Sequence, residues 1–318
     1  MEGTDWIFLA IFLLLIGRIV VRRQRLVRLR DAWDENWTGN EAAAARAAAK
    51  VGDLEPLRAL ATRLRQESWG DRDAVLSSVA FDAPVEAARE SALAHNDSLG
   101  WLIAGMAMIS EAWRRRGNDR AENVDEAAWD PFHVLVGQAE QAVLHAAELD
   151  PHDPGPWTVS LTTAMALGLG IDETTRRFQE ACARDPHNLS AHSSYIQAAA
   201  EKWSGDPDAL RRWAATLGDG LPDGHPMHAY RICAAFERIM QVEMADNESA
   251  GTRVIRTENL RELADEAYAR SFGHPDYRPS RKTPSVRIET LHFYLRCGRT
   301  DFAQAQYDAA VAERRLLP

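Results

Sequence analysis

The stretch Ala139–Pro186, AEQAVLHAAELDPHDPGPWTVSLTTAMALGLGIDETTRRFQEACARDP, decides how the rest of the chain is read. One helix ends at Leu149-Asp150-Pro151, a second begins near Pro156-Trp157, and a third ends at Arg184-Asp185-Pro186. Proline cannot continue a helix, because it lacks the amide donor and its ring clashes with the preceding turn. The two Asp-Pro stops lie 35 residues apart. That is close to the roughly 34-residue period at which pairs of helices repeat and stack. Ala139, Val143 and Ala146 precede Pro151 by 12, 8 and 5 residues, and Phe178 and Ala181 precede Pro186 by the same 8 and 5. Small residues there let two helices approach closely, and the larger one fills the gap between them.

Outward from this pair, apolar residues recur with a helical period and nowhere alternate as in a half-buried strand. The expected helices run over 41–51, 54–67, 73–81, 85–95, 99–116 and 131–149 before the repeat. After it they run over 189–203, 207–217, 227–245, 258–270 and a final hairpin over 287–315. Gly70-Asp71 reads as a turn and Asn96 as the cap of the helix carrying Trp101, Met106, Ile109 and Trp113. Gly218–Pro226 is the best hinge, and 271–285 the longest irregular segment. In the last hairpin Tyr294, Ala303, Tyr307 and Ala310 fall at intervals of 9, 4 and 3.

The front of the chain differs in kind. Trp6–Ile16 is unbroken apolar sequence and Ile19-Val20-Val21 extend it, giving about 24 Å of helix against a hydrocarbon core of roughly 30 Å. Arg18, Arg22, Arg23 and Arg25 follow, with Arg28 and Arg30, whereas Glu2 and Asp5 precede it. A secretory signal carries its positive charge before the apolar run. Positive charge after it predicts a single-pass anchor with the amino terminus outside and the body in the cytoplasm. The arginine collar would also attract anionic inner-leaflet lipids. The domain plan is therefore an anchor over 1–23, a juxtamembrane connection over 24–52, a repeat region over 53–218 and C-terminal hairpins over 219–318.

Charge sharpens this. The net charge is −10, and the six arginines between residues 18 and 30, with no acid among them, leave −16 on the remainder. An acidic body is not a nucleic-acid-binding one. Cys182, Cys233 and Cys297 are odd in number and far apart, with no metal-type spacing, as expected of reduced thiols.

The chain resembles tetratricopeptide-like helical repeat proteins through the 35-residue pair and the final hairpin. Its middle, roughly residues 95–215, also resembles a bacterial tetratricopeptide-like domain family of unknown function. The matching pieces are Ala112-Trp113-Arg114-Arg115-Arg116-Gly117, the repeat pair, and Glu201-Lys202-Trp203-Ser204-Gly205; Asp206 stands where the second element of that family has Ser. The resemblance implies an all-α, irregular α-solenoid and, from the wider repeat class, peptide or protein binding on a concave face. It implies no catalytic set and no cofactor.

Residues with chemistry are few. His187 and His192, or His225 and His228, lack a joining Cys or carboxylate at a ligand spacing. The carboxylates Asp119, Glu122, Asp125 and Glu126 read as a solvated loop. There is no nucleophile elbow, phosphate loop or zinc-protease motif. Trp113, Arg116, Lys202, Trp203 and Trp213 are the set to follow. If the two family elements meet, they either form an aromatic–basic pocket for an acidic peptide terminus or another anion, or simply pack the hairpins. The expected function is a membrane-tethered, non-enzymatic protein-interaction module. The alternative is an enzyme or small-molecule site near Trp113, Arg116 and Trp203.

Overall fold

The structure, a computed structural model, describes Leu29 and residues 38–117, 123–203 and 206–318. The expected anchor, its flanking Arg18, Arg22, Arg23 and Arg25, the acidic residues Asp119 and Glu122, and Ser204-Gly205 lie outside the described residues. Among those described there are fifteen α-helices and no strand, and no helix is long and apolar enough to cross a membrane.

In chain order the helices are α1 (Asn40–Ala49), α2 (Glu55–Glu67), α3 (Trp69–Val79), α4 (Val85–His95), α5 (Ser98–Arg116), α6 (Trp129–Leu149), α7 (Pro154–Leu167) and α8 (Ile171–Arg184). There follow α9 (Leu189–Ala198), α10 (Pro207–Thr216), α11 (Tyr230–Ala245), α12 (Glu248–Thr257), α13 (Leu260–Ala269), α14 (Thr283–Arg296) and α15 (Thr300–Leu316). Most pack on a sequence neighbour, while α9 also packs on α7, α11 on α13 and α14, and α3 on α7 and α9. The positions picked out by the repeat are core: Ala139, Val143, Ala146, Phe178 and Ala181 are all buried. A side chain at Gly105 would overlap Val143, so α5 and α6 touch backbone-close. Tyr294, Ala303, Tyr307 and Ala310 share one buried cluster, as their spacing requires.

Three local expectations change. Ser68 caps α3 by accepting from the Asp71 amide at 3.1 Å, so Gly70 and Asp71 form the first helical turn instead of a loop. Asn96 is the left-handed end of α4, and Asp97 caps α5 by accepting from the Gly100 amide at 2.8 Å. Residues 246–257, to which no element was assigned, hold α12, capped by Asn247 and anchored by buried Ala250, Val254 and Ile255. The segment 218–226 carries packing across it. Leu217, Met227 and Tyr230 join Leu189 and Phe272 in one cluster, and the Gly224 amide donates to the Arg270 carbonyl.

The repeat has a feature invisible in its spacing. Asp153 and Asn188, also 35 residues apart, cap α7 and α9, and both face the start of α3. The Arg72 guanidinium bonds both oxygens of Asp153, one at 2.6 Å, and pairs with Asp73 at 2.6 Å. The Asn188 side chain donates to the other oxygen of Asp73 at 2.7 Å. All four side chains are buried, and any side chain at Gly155 would strike Arg72.

A second junction joins the two ends of the described body. The Arg281 guanidinium donates to the carbonyls of Thr38 and Pro318, each at 3.1 Å, and to Glu41 at 2.7 Å. The Arg281 amide donates to Asp71 at 2.8 Å, and the Glu41 amide to Pro318 at 3.3 Å. The loop before α14 thereby ties α1, α3 and the end of α15 together. Arg281→Met removes the guanidinium's three bonds, while Arg63 still holds Glu41 and the Glu41 amide still reaches Pro318, so it should cost about 1–3 kcal/mol in urea unfolding. An unchanged unfolding midpoint would show the junction to be decorative.

Candidate functional site

The segments around Trp113 and Trp203 do meet. Trp113, in the last turn of α5, and Trp203, in the short 3-10 turn Glu201–Trp203, lie edge to face with ring centres 5.4 Å apart. Arg116 lies over Trp113 at 5.2 Å and over Trp129 at 4.9 Å, and donates to the Gly117 carbonyl at 3.1 Å. Trp113 also packs on Phe132 at 5.0 Å, and Arg116 is buried. The ensemble is filled by its own rings. Edge-to-face aromatic pairs and cations over rings each add about 0.5–2 kcal/mol, so it works as a weld between α5, α6 and the turn after α9.

The remaining members of the set point elsewhere. Trp213 packs with Phe178, His192 and Tyr195, at 6.4, 5.8 and 5.7 Å. Lys202 leaves its neighbour Trp203 and pairs with buried Glu237 of α11 at 2.9 Å. That pair forms part of the wall of a groove of about 600 Å³ between the Glu201–Trp203 turn, α10, α11 and the start of α13. Its floor is apolar: Ala199, Ala200, Leu210, Ala234 and Leu260, with Met240 and the exposed Met244. Its charges already have partners within the chain. Arg211 pairs with Asp208 at 2.8 Å, Arg238 with Glu258 at 2.7 Å, and Arg231 with Glu266 at 3.3 Å.

Of this groove only Lys202 was singled out from sequence. The signal for the others was weak: alanine pairs at 199–200, 214–215 and 234–235, and methionines four apart on one face of α11. Flexible methionine beside small residues makes an adaptable apolar surface.

Reactive groups are muted. Cys182 lies 3.9 Å from His192, but burial pushes its thiol up to about 12, away from the thiolate that attacks substrates. Burial raises Cys233 and Cys297 as well. His187 and His225 meet with ring centres 5.1 Å apart, yet among the described residues no three His, Cys, Asp or Glu form a metal-holding group. No family model matches the chain, and neither does any curated protein or solved structure.

The histidines do set a pH dependence. Burial lowers His192, His225 and His292 from 6.5 to about 4. The unfolded chain therefore takes up these protons first as pH falls. Their contribution is fully present above about 6.5, declines below it, and is lost as pH passes the folded value near 4. His192, the most deeply buried, should account for about 2 kcal/mol of lost stability at pH 5. Denaturation at pH 7 and pH 5 measures the slope, and His192→Gln should flatten it.

Proposed function

We propose that the chain is a non-enzymatic protein-interaction module, an irregular tetratricopeptide-like solenoid tethered to the membrane with its body in the cytoplasm. The groove along α10 and α11 carries this reading. Its floor is apolar and its charged groups are neutralised within the chain, so it suits the apolar face of an amphipathic helix supplied by a partner. The proton-holding state of all three thiols and the self-filled cluster around Trp113, Arg116 and Trp203 weigh against a reaction centre there. The tether rests on sequence: an apolar run from Trp6 to Val21 with acids before it and arginines after it.

Two experiments test the two halves. Helical peptides selected from a library against the full chain should lose at least about tenfold affinity, roughly 1.4 kcal/mol, against Ala215→Arg or Met244→Glu. Both positions are exposed, so the fold should survive these changes. Selected peptides indifferent to both substitutions would remove the groove from the account. Deleting residues 1–23 should move the protein from the membrane to the soluble fraction with its helical circular dichroism retained. A full-length protein already soluble, or a deleted one that stays with membranes, would refute the tether.

A further inference from the structure

A second cavity, of about 350 Å³, lies between α9, α11 and α14. It shares the Lys202–Glu237 wall with the groove but opens on the other side of that pair. Two carboxylates from different helices line it, Glu237 of α11 and Glu289 of α14, and both residues are more than nine-tenths buried. Each is paired with a lysine: Lys202 with Glu237 at 2.9 Å, and Lys282 with Glu289 at 3.2 Å. These are two of the three lysines in a chain that carries 34 arginines. Neutral donors complete the pairs: Gln197 to Glu237 at 2.8 Å and Ser193 to Glu289 at 3.1 Å. Lys282 also lines a smaller cavity of about 110 Å³ that meets this one at Ser193.

Packing alone does not explain the arrangement. Burying an ion pair costs several kcal/mol of desolvation per ion, and apolar replacements of similar volume are often as stable or more so. Here the Lys202–Glu237 pair and the Glu289 carboxylate line one cavity, and the Lys282 ammonium lines the small one that adjoins it. A lysine ammonium has three donors and each carboxylate oxygen accepts more than one bond. Each pair can therefore bond an incoming charge of either sign without being broken. The four charges sum to zero, so the electrostatics suit a ligand that is itself neutral but dipolar, with a cationic and an anionic end. Ile196, Phe236 and Met240 supply an apolar wall for whatever lies between those ends. The volume falls within the range of small-molecule sites. Nothing in the cavity points to turnover, since burial holds the Cys233 thiol protonated.

We propose that this cavity binds a zwitterionic, apolar molecule of dipeptide size between the Lys202–Glu237 and Lys282–Glu289 pairs. The ammonium end would meet a glutamate and the carboxylate end a lysine. The site stands independently of the peptide groove, because Glu289, Ser193 and Gln197 do not line that groove.

Isothermal titration calorimetry of the full chain with Leu-Leu tests it. Saturable one-to-one binding with a dissociation constant below about 1 mM is expected, and N-acetyl-Leu-Leu and Leu-Leu amide should each bind at least about tenfold more weakly. Free leucine, with the same charges and less apolar contact, should also bind more weakly. Glu289→Gln should lose about tenfold or more. Gln197→Trp, an exposed position that lines the cavity, should block binding while helicity and unfolding midpoint, read on the same sample, stay near wild type. It serves as the decisive variant if Glu289→Gln unfolds. No heat up to about 10 mM Leu-Leu, blocked peptides binding as well as the free one, or Gln197→Trp binding normally would each overturn the proposal.

Discussion

Arg72 ties the two helical repeats to the rest of the body. Its guanidinium sits where α3, α7 and α9 converge, bonded to Asp153 and Asp73, while Asn188 reaches Asp73 from the next repeat. The two cap residues are 35 apart in sequence, so successive hairpins present equivalent polar groups at equivalent places. One arginine–aspartate pair on a non-neighbouring helix receives both. A buried guanidinium with two carboxylates is tolerable only when every bond is made, because desolvation cancels most of the Coulomb gain. Burial pushes the Asp73 carboxyl up, and the Arg72 charge only partly offsets it. The cluster thus contributes more to fixing one arrangement of three helices than to net stability.

That constraint shapes the inner face. With α3 held against α7 and α9, the loop before α14 can reach Asp71 through the Arg281 amide, and the Arg281 side chain gathers Thr38, Glu41 and Pro318. A linear stack leaves its terminal repeats apart, each capped separately. Here the last hairpin returns to α1, the first of the described helices. The return brings Lys282 and Glu289 of α14 towards Ser193 of α9, with Glu237 of α11 on the same cavity. The cavity that Glu289 and Glu237 line follows from this closure.

The all-helical class and the buried positions of the repeat and of the final hairpin were legible in the sequence, because a helical period and fixed small–large spacings are local properties. What escaped it depended on distance or competition. Asp153 and Asn188 look like ordinary caps until Arg72, 81 residues before Asp153, is seen beside them. Gly70-Asp71 reads as a turn by composition, and the Ser68 cap overrides that. Glu248–Thr257 contains glycine and β-branched residues, weak helix formers, and is held by burial of Ala250, Val254 and Ile255. Trp113, Arg116 and Trp203, grouped from the sequence, pack together in the structure. Lys202 and Trp213, grouped with them, belong to two other environments: Lys202 faces away from its neighbour Trp203 towards Glu237, and Trp213, in α10, packs on α8 and α9.

A double-mutant cycle pairing Arg72→Met with Asp153→Leu measures the central junction most directly. Arg72→Met strands Asp153 and Asp73 and should cost about 3–5 kcal/mol, whereas Asp153→Leu leaves Arg72 paired with Asp73 and should cost about 1–3 kcal/mol through the lost bonds and the lost cap of α7. The double variant, in which Asp73 keeps only Asn188 but Asp153 is no longer stranded, should cost less than the sum of the two singles, giving a coupling energy of about 2 kcal/mol. A coupling within about 0.5 kcal/mol of zero would contradict the account, because the two repeat turns would then be held by apolar packing alone.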